Sequence, residues 1–399
     1  MAGQQRTYGR RTLLAAIRKS SPIARIDLAE ATGISRATVT TVTAELMRAG
    51  LIAEVAQESD NSGRGRPRVD LKIDGTAHLI AGIKVANRAL SLVLIDFEGN
   101  EQAAVEFPFP EQAFKPIDLA QILKGGLTEL MAKVDRSVSD LSGVGIGISG
   151  IVDVQRGLVH WSPSLSERNV HLRTVVEDTL NVPVFLDNDA NLVAMAEKQF
   201  GVGRQAKDFI VVTVESGVGM GIVIDHNIYR GTRGCGAEFG HTKVHLDGAL
   251  CRCGQRGCLE AYVADYALLR EAQLLGNGGE AGTPEQTIET LLKRAQDGDP
   301  IATNIVNRAG RMFALGLANI VNIFDPQLII LAGERMQFDH LYAEEVLDSI
   351  KSSIVQVDQS PPDVVIHKWD ALMWAKGAAA YALEGVEEAA VAQLTAQDV

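Results

Sequence analysis

Three cysteines and a histidine crowd one short stretch of this chain. They are His241, Cys251, Cys253 and Cys258, within GAEFGHTKVHLDGALCRCGQRGCLEAY from Gly236 to Tyr262. Three thiolates and one imidazole complete a tetrahedral Cys3His shell. Such a shell suits a structural zinc ion, one per chain, and leaves no position for a catalytic water. The chain has only 4 cysteines, so C-x-C-x4-C with a histidine ahead of it outweighs the alternative of free thiols and a stray histidine. Gly254 and Gly257 let the backbone turn tightly around the ion. Two carboxylates, Glu238 and Glu260, bracket the ligands. A metal clamp would hold both at set positions, as a polar binding site requires.

A second polar group follows the apolar run Val182–Leu186. It reads Asp187-Asn188-Asp189-Ala190-Asn191 and opens a helix that continues through Phe200. Polar residues at the C-terminal end of a buried strand, just before a helix, are where open α/β sheets place their ligands. Asn188 and Asp189 also suit helix capping, which is compatible with binding. Gly217, Gly219 and Gly221 turn backbone N–H groups toward a candidate anion, although glycines between two strands more often only make a hairpin.

These groups need a scaffold. Leu79–Ile83, Leu90–Asp96 and Ala103–Phe107 read as a β-meander, with Glu98-Gly99-Asn100 as one turn. Ile117–Val134 and Leu172–Leu180 read as helices, and Val144–Ile148 as a buried strand ending in Ser149-Gly150. Phe209–Val214 and Gly221–Ile224 are further strands. The chain is then mostly helical from Ala264 to Asn322, turns at Asp325-Pro326, and adds strands Leu328–Leu331 and Val364–Ile366. A last helix, Ala371–Leu383, precedes an acidic, alanine-rich tail that is expected to fray.

The first part has a different texture. Residues 1–70 carry 11 Lys and Arg against 7 Asp and Glu, within a chain of net charge −12. A basic head on an acidic body places a polyanion partner at the head alone. Leu13–Lys19 and Ile26–Thr32 read as helices, the second stopped by Gly33. Ser35 caps a third helix through Met47, with Val39, Val42 and Leu46 on its buried face. Its other face shows Arg36, Ala37, Thr40 and Thr41, small and polar with one cation, as a helix entering a major groove requires. Ser35, Arg36 and Thr40 are the candidate DNA contacts. A generic three-helix bundle is the alternative.

Leu51–Val55 and Val69–Ile73 read as a hairpin around QESDNSGRGRPR, which makes a wing. Its Arg64, Arg66 and Arg68, held extended by Gly65 and Pro67, suit a narrow minor groove. The RGRP core resembles an AT-hook; a solvated basic loop is the alternative. No apolar run reaches the length of a membrane span. The start MAGQQRTYGRR lacks the apolar core of a signal peptide. Cytoplasm is expected, where thiols stay reduced and bind metal.

The GRGRP wing, DNDAN at 187–191, and GAEFGH followed by C-x-C-G-x-x-G-C-L-E at 251–260 together resemble the ROK family of repressors, open reading frames and sugar kinases, over nearly the whole chain. The resemblance implies an actin-like (ribonuclease H-like) two-lobed α/β sugar-kinase fold behind a winged helix-turn-helix. It implies a head at 1–74, a first lobe at 75–190 completed by the C-terminal helix 371–385, a second lobe with the zinc site at 191–370, and a tail at 386–399. By the same resemblance Asp189 corresponds to the base of the family kinases. Asn188, Asp189, Glu238, His241 and Glu260 correspond to their sugar-hydroxyl ligands.

The departures are equally informative. Family kinases open with D-x-G-G-T-K to hold phosphate and metal. Here the same place reads Lys84-Val85-Ala86-Asn87, so a cation replaces the carboxylate and the glycines are gone. The later adenosine-side Gly-Gly becomes Ala332-Gly333-Glu334. The sequence therefore predicts a non-enzyme, with Asp189 a vestigial base. It reads as a repressor, homodimeric or homotetrameric, that binds a double-stranded operator and is released by a sugar or sugar derivative. An active sugar kinase with a DNA-binding head is the alternative, and a ligand-free architectural DNA binder a third.

Overall fold

The computed structural model describes residues 2–56, 69–86, 88–234, 236–273, 283–332, 348, 350, 353–355, 361–368 and 372–396. The wing residues Arg64, Arg66 and Arg68, together with Asn87, Gly333 and Glu334, lie outside the described residues. Packing divides the chain into two units. One comprises Met1–Gly147, Pro163–Leu186 and Ala378–Val399, and the other Ile148–Ser162 and Asp187–Gly377.

The first unit begins with α1 (Ala2–Ser20), β1 (Ile23–Ala24), α2 (Arg25–Thr32), α3 (Arg36–Arg48), β2 (Ile52–Ala56) and β3 (Val69–Ile73). The strands form an antiparallel sheet in the order β1-β3-β2, with Glu54 opposite Leu71. Leu13, Leu14 and Ile17 of α1, Leu28 of α2, and Val39, Val42 and Leu46 of α3 are buried together with Leu71 and Ile73. The i, i+3, i+7 stripe on α3 thus faces the core, as its spacing requires. Ser35 caps α3 by accepting from the Thr38 N–H at 3.2 Å. α1 starts at Ala2 rather than Leu13, because its polar first half is held by charge and not by an apolar stripe. Arg6 and Arg10 both reach Glu45, on the inner face of α3.

That contact makes the head acid-sensitive. Arg10 is 1% exposed and Glu45 5%, and Arg10 Nε donates to Glu45 Oε2 at 2.9 Å. Burial alone would raise the Glu45 carboxyl, but the Arg6 and Arg10 guanidiniums outweigh it and hold it below the ordinary 4.5. A depressed folded pKa stabilises fully above the unfolded value, and the gain is lost as pH falls through the folded value. Acid should therefore loosen the head below about pH 4.5, the unfolded glutamate range. Glu45→Gln should remove that step from thermal melts recorded between about pH 3 and 6. An unchanged acid slope in the variant would count against it.

Next come β4 (Leu79–Val85), β5 (Ala89–Asp96), β6 (Glu101–Pro108), α4 (Pro116–Ala132), β7 (Gly143–Ile148), the hairpin β8 (Ile151–Asp153) and β9 (Leu158–Trp161), α5 (Leu172–Leu180) and β10 (Val184–Asn188). The sheet order is β10-β7-β4-β5-β6, and β4, β5 and β6 form the antiparallel meander. Asp96 closes the β5–β6 turn by accepting from the N–H groups of Glu98, Gly99 and Asn100 at 2.9, 2.9 and 2.8 Å. The β8–β9 hairpin was not expected; its strands are too short for a periodic signal.

The second unit takes in that hairpin and continues with α6 (Asp189–Gln199), β11 (Phe209–Val214), β12 (Val218–Ile224), β13 (Asn227–Tyr229), α7 (Glu260–Val263), α8 (Asp265–Gln273), α9 (Pro284–Gln296), α10 (Pro300–Phe324), β14 (Leu328–Ala332), β15 (Asp363–His367) and the start of α11 (Met373–Ala396). Its sheet order is β13-β12-β11-β14-β15, with the β11–β14 and β14–β15 pairs parallel. Phe209, Val211 and Ile330 pack with Val193 and Ala194 of α6 and with Trp374. The alternate residues Ile210, Val212 and Leu331 pack with Phe313 and Leu317 of α10. Burial on both faces explains why these strands read as unbroken apolar runs. Gly221 is a packing glycine rather than an anion loop: a Cβ there would lie 2.6 Å from Ala190 O of α6. Among the described residues no helix is long and apolar enough to cross a membrane.

α11 does not end near Leu383, and the expected frayed tail is helical to Ala396. Alanine favours helix, and this end is anchored within the first unit. Val386 and Val391 are buried. Arg18 Nε donates to Glu387 Oε1 at 2.5 Å, and the Arg18 guanidinium lies 5.1 Å from the centre of the Phe97 ring.

Candidate functional site

The second unit holds the cluster that could bind a metal ion. A 3-10 turn over Phe239–His241 presents the imidazole, and the loop before α7 presents the thiols. Isolated bridges Lys243↔Cys258 and Leu250↔Arg256 fold that loop back on itself. Gly257 sits at φ +74°, where a Cβ would lie 1.7 Å from His245 O, so the turn admits only glycine.

The ligand atoms of His241, Cys251, Cys253 and Cys258 all lie within 4.8 Å of one another. Cys251 Sγ is 3.7 Å from His241 Nδ1, and Cys253 Sγ is 3.7 Å from Cys258 Sγ. A tetrahedral ion with metal–sulfur bonds of about 2.3 Å has edges of about 3.8 Å, so the donor set fits a zinc-sized ion. Lys243 Nζ donates to Cys258 Sγ at 2.9 Å and Tyr266 OH to Cys251 Sγ at 3.4 Å, two donors suited to thiolate charge. Burial pushes the Cys251 thiol up to about 12. At Cys253 burial acts the same way but is outweighed by the Gln255 backbone N–H, the two neighbouring thiols and Lys243, which bring the thiol below its ordinary value.

The polar group beside this cluster also lies within the second unit. Asn188 caps α6: its Oδ1 accepts from Ala190 N–H at 2.9 Å, and its Nδ2 donates to Gly150 O at 2.8 Å. Asp189, the first residue of α6, accepts from Ser149 Oγ at 2.5 Å. Burial raises the Glu238 carboxyl, His241 opposes this, and the charges of Asp189 and Glu260 raise it further. Glu238 thus feels the negative charge of both Asp189 and Glu260. Glu260 Oε2 accepts from Val218 N–H at 3.2 Å, and its Oε1 lies 3.6 Å from Cys251 Sγ. The cluster and the acidic site therefore share a wall. His241 turns Nδ1 to the thiols, which leaves Nε2 for a second partner.

Two contributors were missed in the sequence. Arg230 Nε donates to Asp187 Oδ2 at 2.7 Å, and Asp187 is 0% exposed. Burial pushes the Asp187 carboxyl up, against Arg230, Asn191 and the Asn188 N–H. The Arg230 backbone carbonyl accepts from Gly236 N–H at 3.2 Å, so this residue ties the loop leading to Glu238 to the strand end leading to Asn188. No local pattern marks this arginine. Ser149 had one signal, its place at the end of a buried strand. Carboxylates, an amide and an imidazole are side chains that can accept and donate hydrogen bonds to vicinal hydroxyls.

In the first unit, Ser35, Arg36, Ala37, Thr40 and Thr41 are exposed on one face of α3. Thr40 Oγ1 donates back to Arg36 O at 2.9 Å and Thr41 Oγ1 to Ala37 O at 3.1 Å, so both hydroxyls keep acceptor capacity toward solvent. Ser35 is engaged in the cap, so only part of its hydroxyl faces outward.

A sequence profile of the ROK family matches residues 80–384, and a winged helix-turn-helix DNA-binding profile matches residues 10–53. The xylose repressor of Bacillus spizizenii is 31% identical over 86% of this chain and 85% of its own. The DNA-binding transcriptional dual regulator NagC of Escherichia coli is 30% identical over 88% of this chain and 86% of its own. Among solved structures, a ROK family transcriptional regulator described as a homolog of the E. coli Mlc protein superposes with a TM-score of 0.81. That match covers 99% of this chain and 100% of the other at 24% identity, and so speaks to the fold. A hexokinase and a glucokinase of the family each match 77% of this chain, at TM-scores of 0.66 and 0.62.

Proposed function

The chain belongs to the ROK family, and from that membership we propose that it is a sugar-responsive transcriptional repressor. The head binds a double-stranded operator, and a sugar or sugar derivative in the acidic site of the second unit releases it. One observation carries this: a capped recognition helix with Arg36 and Thr40 outward occurs in the same chain as a hydroxyl-binding constellation. The names of a xylose repressor and a DNA-binding transcriptional dual regulator among the relatives point the same way. A xylose repressor and an N-acetylglucosamine repressor match at nearly equal identity, 31% and 30%, so the relatives leave the sugar open.

Asn188, Asp189, Glu238 and Glu260 pair sugar hydroxyls in this reading, and His241 does so through Nε2. His241, Cys251, Cys253 and Cys258 hold a structural zinc, which when bound keeps the Glu238 and Glu260 segments in place. Arg36 and Thr40 read bases from the major groove, and the wing's Arg64, Arg66 and Arg68 enter the minor groove. Residues 1–74 act as the DNA-reading module, in the cytoplasm, as a homodimer or homotetramer on a two-fold operator. An operator is found by selecting bound duplexes from a random pool. Arg36→Ala should then lower discrimination over a scrambled duplex by about tenfold, within the 1–3 kcal/mol of a base contact. Unchanged discrimination in gel shifts would remove Arg36 from the reading face.

Family kinases among the structural neighbours raise a second reading, catalysis. Lys84 argues against it. It lies at 7% exposure near the end of β4, opposite Ser91, where family kinases carry a carboxylate facing metal and phosphate. The purified protein should phosphorylate no member of a broad sugar panel with magnesium and ATP. Turnover that Asp189→Asn abolishes would establish the kinase instead.

A further inference from the structure

We infer that Thr395 is a positioning residue for the recognition helix, acting through Arg10 on Glu45. The Thr395 hydroxyl accepts from Arg10 NH1 at 3.1 Å, lies 3.0 Å from the Thr7 hydroxyl and donates to Val391 O at 3.0 Å. A hydroxyl has one proton and two lone pairs, so all its capacity is used. Arg10 spends its other nitrogens on Glu45, with Nε at 2.9 Å and NH2 at 2.8 Å from Oε2. Glu45 belongs to α3, the helix whose outer face shows Arg36 and Thr40. The last turn of the chain's last helix therefore sets one anchor of the first unit's DNA-facing helix. An ion pair this buried holds its geometry only when the remaining donors are satisfied. Thr395 supplies that satisfaction.

The same helix has a second end. α11 is continuous from Met373 to Ala396. Within the second unit its first residues pack on α6, with Met373 and Trp374 against Val193 and Ala194. A Cβ at Gly377 would lie 1.9 Å from Leu192 O, so the two helices touch backbone to backbone. α6 begins at Asp189.

The inference rests on the DNA-binding reading only for what the recognition helix is used for. The test is amide hydrogen exchange on the full chain without DNA, comparing wild type, Thr395→Val and Thr395→Ser. Valine keeps the shape and removes the hydroxyl; serine keeps the hydroxyl. Exchange across residues 36–48 should quicken about fivefold in Thr395→Val, the scale of one ordinary hydrogen bond, and return to near wild type in Thr395→Ser. β11 should be unaffected. With Glu45→Gln already present, Thr395→Val should add less than about twofold, since coupled contacts are not additive. Unchanged exchange in residues 36–48, equal effects of valine and serine, or an equal rise in β11 would each overturn the inference. If exchange behaves as expected and the wild type selects no duplex, the positioning role stands and the DNA-binding reading fails.

Discussion

Cys258→Ser is expected to empty the metal cluster, taking zinc from one ion per chain to under about a tenth, and to weaken the second unit by several kcal/mol. Cys258 is fully buried, receives the Lys243 ammonium at 2.9 Å and pairs by backbone with Lys243. Serine gives a poorer ligand in the same place and leaves Lys243 without its thiolate. Structural zinc is worth roughly 10 kcal/mol in small peptides that cannot fold without it. Here the apolar core around Phe313, Leu317 and Ile210 does not include the cluster, so about half of that loss is expected, roughly 5 kcal/mol. The consequence reaches the acidic site, because Cys251 touches both the cluster and Glu260. Metal analysis and thermal unfolding with and without chelator read both effects. Wild-type protein with well under one zinc per chain, or a variant that melts as wild type does, would sink the assignment.

How much of this was legible in the sequence depended on the range of the interactions. The helix Leu172–Leu180 was read at its observed bounds, because its apolar positions and its Asn181 stop are local. The strands Phe209–Val214 and Leu328–Leu331 were visible as apolar runs, since both faces are buried, and the second extends one residue further, to Ala332. The cysteine spacing announced a cluster, and the four side chains do converge. What could not be read was long-range. Arg230 meets Asp187 across 43 positions, and Arg10 meets Thr395 across 385. Neither pair leaves a periodic trace. The first half of α1 and the last turns of α11 were missed for the same reason: each is held by charged contacts to the other or to α3.

Asp189→Ala should leave operator affinity without sugar within about twofold of wild type, yet lower sugar affinity by at least about a hundredfold and erase the response of the operator complex. The charges at the proposed site favour hydroxyl donors. Burial pushes the Glu238 carboxyl up, and the negative charges of Asp189 and Glu260 push it further, against His241. Vicinal hydroxyls offer donors to such carboxylates and relieve that repulsion. A site built to pair hydroxyls also discriminates strongly against losing one partner. Binding can shift the repressor only by the difference in sugar affinity between its DNA-competent and incompetent states. Couplings of this kind run about 1–3 kcal/mol, so the cognate sugar should weaken wild-type operator binding by roughly 5–150-fold. In the proposed homodimer or homotetramer, a two-fold operator would set half-site spacing by helical pitch and make small displacements of the heads costly enough for that range. Glu238→Ala should behave as Asp189→Ala does, since both pair sugar hydroxyls in the proposed site. Arg36→Ala should do the reverse, losing discrimination while sugar binding persists. The decisive measurement is operator Kd at one salt concentration, with and without a sugar shown by calorimetry to saturate the wild type. An unchanged Kd would end the coupling mechanism. A tightened Kd would make the sugar a co-repressor, because the sign of the shift reports which state holds the sugar more firmly.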